Sequence, residues 1–220
     1  MRVVVNYRSN DADAEDVVAS IRAAGGEAMA VRANVCDPSE VHRLVQVVTA
    51  QWGPVDVLVN TALVPYAMES FHDMTWEDFG GKLHDEMLAA FTLTKAVVPP
   101  MIDRGYGRII HVATNLARHP REKMIALGVS KAALVQFARY IAQELGPHGV
   151  TVNVVSPGPV DTQIGALRPP EVEEQITAST PLRRVAQPED VAGVIAFYAG
   201  DASGFMTGTY APVNGGLTMD

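Results

Sequence analysis

Along these 220 residues, short runs of consecutive apolar side chains alternate with longer stretches in which apolar residues recur every three or four positions. The short runs suit strands buried on both faces and the longer ones suit helices that bury one face, so their alternation predicts parallel strands joined by crossover helices. Strands are expected over Arg2 to Tyr7, Ala28 to Ala33, Val55 to Asn60, Arg108 to Ala113, Thr151 to Ser156 and Tyr210 to Val213. A helix over Asp11 to Ala24 begins with acidic residues, carries Val17, Val18 and Ile21 on one side and stops at Gly25-Gly26. Pro38-Ser39-Glu40 opens a second, whose stripe is Val41, Leu44, Val45 and Val48 and whose stop is Gly53-Pro54. Thr75 is the expected N-cap of a long helix running towards Pro99-Pro100, with Asp78 where a capping box has Glu or Gln. Another long helix should run from about Lys123 to Leu145, ending at Gly146-Pro147, and a shorter one should follow Pro188-Glu189-Asp190. Pro169-Pro170 with Glu171, Glu173 and Glu174 reads as a mobile loop. The fold class expected is α/β, a doubly wound parallel sheet in one domain over residues 1–220.

Composition narrows the function classes more than the fold. A hydrophobic share of 48% with 19% charged residues is that of a soluble globular protein. No apolar run is expected to reach the length of a membrane span, and Met1-Arg2-Val3-Val4-Val5 is too short and too quickly polar for a signal peptide, so a cytoplasmic location is expected. Cys36 stands alone, which excludes an internal disulfide and any multi-cysteine metal site. The net charge of −8 argues against nucleic acid and anionic membrane as partners and leaves a small-molecule or acyl substrate.

Seven segments occur in a telling order and spacing. They are Val3-Val4-Val5-Asn6-Tyr7-Arg8-Ser9, Gly25-Gly26-Glu27-Ala28, Asp56-Val57-Leu58-Val59-Asn60, Gly107-Arg108-Ile109-Ile110, Ser130-Lys131-Ala132-Ala133-Leu134, Val152-Asn153-Val154-Val155-Ser156-Pro157-Gly158 and Val213-Asn214-Gly215-Gly216. Together they resemble the short-chain dehydrogenase/reductase (SDR) family, and most closely its 3-oxoacyl-acyl-carrier-protein reductases. The resemblance implies a Rossmann-like sheet and NADP-dependent oxidoreductase ancestry. It also implies a first strand, a glycine-rich turn and a helix that holds the cofactor pyrophosphate. Here the pattern begins at what would be the second strand. About thirty residues of the family pattern, one strand–helix unit, have no counterpart, and no G-x-x-x-G-x-G occurs in the 220 residues. In this topology that unit's strand lies in mid-sheet, so its neighbours must pair with each other or be filled by another segment or by a partner chain. An upstream start with the glycine loop before Met1 is the further alternative.

Carried over residue by residue, the resemblance assigns Lys131 to the lysine of Y-x-x-x-K and Leu127 to the tyrosine position; leucine has no proton to give. The alternative spacing places that tyrosine at Met124, which fails equally. Thr114 falls on the family serine and keeps a hydroxyl. With Phe91 aligned to the family's aromatic, Glu86 falls on the asparagine of the proton relay, as an ion pair or base for Lys131, or alternatively as a solvated helix residue. Candidate cofactor positions are Asn34 and Val35 beside an adenine, Asn60 after the third of the expected strands, and Pro157, Gly158 and Thr162 on the nicotinamide side. Arg8 at the end of the first strand favours a 2′-phosphate, hence NADP. Leu63 stands where the family has the glycine of N-N-A-G. Tyr66 could substitute for the lost phenol, and Met68, Phe71 and Met74 would suit an acyl pocket. His111 reads as a packed or surface histidine, and no metal-ligand spacing is found.

Three functions remain open. One is an SDR oxidoreductase whose ordinary ketoreduction is lost or redirected. Another is a non-redox isomerase, dehydratase or cyclase on an acyl or polyketide-like substrate, with Lys131 and Glu86 as its acid–base pair. The third is a non-catalytic subunit. The family commonly forms dimers and tetramers through two long helices and the C-terminal segment, so a homo-oligomer is implied, or an assembly with an intact SDR subunit.

Overall fold

Each of the six apolar runs forms a strand, and every strand pairs in parallel with its neighbours. The computed structural model describes residues 1–162 and 168–219. The strands are β1 (Arg2–Tyr7), β2 (Glu27–Arg32), β3 (Val57–Asn60), β4 (Gly107–Val112), β5 (Val150–Pro157) and β6 (Tyr210–Val213). The helices are α1 (Asp11–Ala23), α2 (Pro38–Trp52), α3 (Trp76–Arg104), α4 (Ile125–Leu145), α5 (Pro170–Ser179) and α6 (Pro188–Ala199). The strands fall into two sheets, β1-β2 and β3-β4-β5-β6. Of the outcomes foreseen for the middle of the sheet, direct pairing of β1 with β3 is therefore not the one adopted.

Alternation along the strands sorts the helices onto two faces. Ile109 of β4 and Val152 and Val154 of β5 pack with Val97 and Met101 of α3 and Ala138 and Ala142 of α4. Ile110 and Val155, one position on, pack with Val191, Tyr198 and Ala199 on the opposite face. In the smaller sheet, Val31 and Ala33 meet Val41, Leu44 and Val48 of α2 and Leu93 of α3, and both Val4 of β1 and Leu58 of β3 rest on this cluster. One apolar floor thus runs beneath both sheets. Helix α1 packs on β1 and β2 and gives no residue to that floor, so it covers the other face.

Local chemistry explains the helix starts. Asp37 caps α2, accepting from the backbone N–H groups of Ser39 at 2.8 Å and Glu40 at 3.4 Å, with Pro38 in the first turn. The Ser39 hydroxyl and these amides hold the Asp37 carboxyl below its usual range. Thr75 caps α3 by accepting from the Asp78 amide at 3.1 Å, and its hydroxyl donates to the Asp78 carboxylate at 2.5 Å, so the shorter acid still closes the turn.

Three expectations are corrected. Helix α3 does not end at Pro99-Pro100 but runs on to Arg104 and closes at Gly105 in the left-handed region, φ 64°. The two prolines remove the N–H groups that would bond to the carbonyls of Lys95 and Ala96, and burial of Val97 and Met101 on either side offsets that loss. The stretch after Pro169 is not a loop: Pro170 opens α5 with Glu171 and Glu173 in its first turn, which are helix-start signals. A segment of spanning length also exists, since Ile125–His148 is long and apolar enough to cross a membrane. Its Leu134, Ala138 and Ala142 are core residues of this domain.

Candidate active site

The C-terminal ends of parallel strands and the helices beside them are where such folds gather polar groups. Lys131 lies in the second turn of α4, and its Nζ donates to Glu86 Oε1 at 2.6 Å and to the Val112 carbonyl at the end of β4 at 2.9 Å. Glu86, on α3, is a buried ion-pair partner rather than a solvated residue. Its other oxygen, Oε2, accepts from Lys82 Nζ at 2.6 Å, and Lys82 also donates to the Val64 carbonyl at 2.9 Å. Lys82, Glu86 and Lys131 are 2%, 2% and 5% exposed. Two ammonium groups thus share one carboxylate inside the protein. Burial pushes the Lys131 ammonium below its usual range, Glu86 opposes that shift, and Lys82 adds to it. The Tyr66 ring centroid lies 5.6 Å from Lys82 Nζ, which places this phenol beside the triad.

His111 of β4 lies close to this charge and is fully buried. Its Nδ1 is 3.4 Å from Asn60 Nδ2, its ring packs edge-on against Phe137, and Nε2 has no hydrogen-bond partner among the described residues. Burial, reinforced by Lys131, lowers its pKa to about 4, so the ring is neutral near pH 7. Asn60 also accepts from the Ala62 amide at 3.2 Å and so stitches the start of the following loop.

Thr114 is half-buried, and its hydroxyl donates to Asn115 Oδ1 at 3.2 Å while accepting from the Leu116 amide at 3.4 Å. Behind it lies Tyr210, which sequence reasoning missed. Ser156 Oγ donates to the Tyr210 phenol oxygen at 2.7 Å, that phenol donates to the Thr114 carbonyl at 3.4 Å, and the Arg118 guanidinium lies 3.9 Å from the Tyr210 ring centroid. Leu127 is buried in α4, and its carbonyl accepts from Ser130 Oγ at 3.0 Å. No side chain other than Glu86 bonds to Lys131 Nζ among the described residues.

The expected cofactor positions are spread around the same strand ends. Asn34 accepts from the Cys36 amide at 3.2 Å and donates its own amide to Glu40 at 2.9 Å, and Val35 offers its carbonyl to Thr92 at 3.3 Å. Arg8 is exposed at the end of β1, and its carbonyl accepts from Arg32 at 3.1 Å. Pro157 ends β5, and the Gly158 amide donates to the Val213 carbonyl at 3.0 Å. A Cβ on Gly158 would stand 2.9 Å from that of Asn214, so packing alone requires a glycine there. Thr162 borders residues 163–167, which lie outside the described part. Leu63 is exposed, as are Met68 and Phe71.

A family model described as Enoyl-(Acyl carrier protein) reductase matches residues 1–218. The chain is 36% identical over 218 residues to an acetoacetyl-CoA reductase of Allochromatium vinosum, covering 99% of this chain and 88% of that protein. It is 36% identical over 220 residues to a 3-oxoacyl-[acyl-carrier-protein] reductase of Synechocystis, covering 100% and 87%. Among solved structures, YwfH, an NADPH-dependent reductase involved in bacilysin biosynthesis, superimposes with a TM-score of 0.92 at 26% identity, covering 100% of this chain and 89% of that one. Sequence, strand order and these likenesses agree, and the chain belongs to the short-chain dehydrogenase/reductase family.

Proposed function

We propose that this chain is an SDR oxidoreductase-like protein in which ordinary NADP-dependent ketoreduction is lost or redirected. The observation that carries this reading is the occupation of Lys131: its ammonium is held by Glu86 and the Val112 carbonyl, and Leu127 fills the position from which the resemblance implies a phenol. A general acid must reach its substrate atom within hydrogen-bond distance, and Leu127 has none to offer. Thr114 retains a hydroxyl able to donate to a substrate carbonyl. Acetoacetyl-CoA and 3-oxoacyl thioesters, named for the relatives, are the substrates to try first.

The fit to NADP is uneven. Exposed Arg8 suits a 2′-phosphate, whereas Leu63 adds a branched side chain beside Asn60, and the described residues offer no glycine-rich helix start for a pyrophosphate. No hydride step follows from these residues. The non-redox reading, with Glu86 as base, is less favoured because both carboxylate oxygens already accept from ammonium groups. A homo-oligomer through α3 and α4 remains part of the proposal, supported by exposed Phe91 and Tyr140 on those helices. The test is NADPH oxidation with acetoacetyl-CoA alongside calorimetric titration of NADPH. The expected result is turnover at least about a thousandfold below an intact reductase, the combined scale of acid catalysis. Turnover at an ordinary reductase rate, on the order of ten per second, would overturn it.

A further inference from the structure

One buried carboxylate answers two ammonium groups. Glu86 Oε1 accepts from Lys131 and Oε2 from Lys82, each at 2.6 Å, and no second carboxylate reaches either lysine among the described residues. The side chains of Lys82, Glu86 and Lys131 are 0%, 3% and 6% exposed, so water screens little of the surplus. His111, neutral near pH 7, adds no charge of its own. A buried cluster with more cations than anions is disfavoured by its low-dielectric surroundings. Loss of a single proton leaves a balanced ion pair beside a neutral amine.

The residue type at both cationic positions points the same way. The 17 lysines and arginines of the chain include only four lysines, Lys82, Lys95, Lys123 and Lys131, and two of them sit on Glu86. Arg108, a buried cation facing the Asp201 carboxylate at 3.4 Å, is by contrast an arginine. Arginine serves charge alone better, through its planar fork, but it cannot become a neutral amine and lysine can. Of the two lysines, Lys131 is the one with a way out. Its side chain keeps some exposure where that of Lys82 has none, and it ends at the Val112 carbonyl, two residues before half-buried Thr114. Burial pushes its ammonium below the usual range and Lys82 adds to that, against the pull of Glu86. Desolvation and a neighbouring cation are the conditions that turn a lysine into a nucleophile.

We propose that Lys131 is a nucleophile that captures the ketone carbonyl of a 3-oxoacyl compound as an imine. This rests on the proposed redirection of ketoreduction, which also supplies the substrate class. The Lys131 nitrogen gives its lone pair to the carbonyl carbon, and the C=O π pair moves onto oxygen, where the Thr114 hydroxyl is available to donate. One amine proton passes by way of Glu86 to that oxygen. The pair left on nitrogen then forms C=N as the C–O bond breaks. The departing hydroxyl keeps the C–O pair, takes the proton that Lys82 supplies through Glu86, and leaves as water. Glu86 thus acts on the nitrogen groups it already touches and not on substrate carbon, and the step needs neither oxidant nor reductant.

The probe is acetoacetate with sodium cyanoborohydride, which reduces an iminium to a stable secondary amine, at pH 7 with no nicotinamide present, followed by peptide mass mapping. Exposed Lys95 and Lys123 are the internal controls. Burial as such would make Lys131 the slowest of the three; labelling there is instead expected to be at least about tenfold faster than at either control. Lys82→Met removes the surplus charge and should slow labelling of Lys131 at least about tenfold, while Lys95 and Lys123 keep their rates. If that variant does not fold, the wild-type map decides alone. Labelling at Lys131 no faster than at the controls, labelling at Lys82 in its place, or indifference to Lys82→Met overturns the proposal. NADPH turnover at an ordinary reductase rate is a separate result that strikes the reading of redirected ketoreduction, whereas missing label with missing turnover strikes the imine alone.

Discussion

Strands β4 and β5 and strands β1 and β3 are built from the same kinds of residue but live in different surroundings. Ile109, Ile110, Val152 and Val155 are fully buried, with strands on both sides and helices on both faces. Val59, in a run just as apolar, is 38% exposed, and Val3, Val4 and Val5 are only half-buried. Residue type does not explain the difference; the neighbour does. A parallel strand acquires its burial from flanking strands, and one missing neighbour opens both the backbone edge and the side chains beside it.

The largest expected effect lies on the closed side, where Glu86 joins α3 to α4. Glu86→Gln would leave the Lys82 and Lys131 ammonium groups buried against a neutral amide. Removing one partner of a buried ion pair costs about 3–5 kcal/mol, to be read from urea denaturation at pH 7. A loss below about 1 kcal/mol, the level of exposed pairs, would mean that water reaches the triad and that the closed side is less closed than described.

His111 gives the next effect, through pH. Its folded pKa of about 4 lies below the ordinary 6.5, so between those values the unfolded chain binds a proton that the folded chain refuses. Stability is therefore intact above about pH 6.5, falls as pH drops towards 4, and levels off below it. The full loss is about 3 kcal/mol. Other carboxylates titrate in the same range, so the measurement is the difference between wild type and His111→Asn in urea titrations at pH 7 and pH 4.5. Equal pH dependence of the two would place the ring in contact with water.

Much of this was legible in the sequence, for reasons that differ by residue. Short apolar runs marked all six strands, and those of β1, β3, β4 and β5 are rich in Val and Ile, the β-branched residues that a pleated sheet favours. The end of α3 was misread because a proline pair is a strong local stop, and the burial of Val97 and Met101 that overrides it is tertiary. Glu86 could be placed near Lys131 from the family resemblance, but Lys82 could not. A Lys–Glu pair four apart on a helix looks like solvated surface until another helix covers it. Tyr210 gave no signal either, since its bonds to Ser156 and Thr114 exist only because β5 and β6 are neighbours and the loop after β4 folds over them.

The smallest expected effect is the one that measures the comparison most directly. Val→Thr exchanges a methyl for a hydroxyl at nearly constant shape, so its cost reports whether the site is dry. Val155→Thr, fully buried in β5, should cost about 1–3 kcal/mol, whereas Val59→Thr on the open edge of β3 should stay within about 0.5 kcal/mol. Because the chemical change is identical, uncertainty about the unfolded chain largely cancels between the two, and the difference in urea midpoint at constant slope isolates burial. If Val59→Thr proved as costly as Val155→Thr, the edge of β3 would be covered in solution.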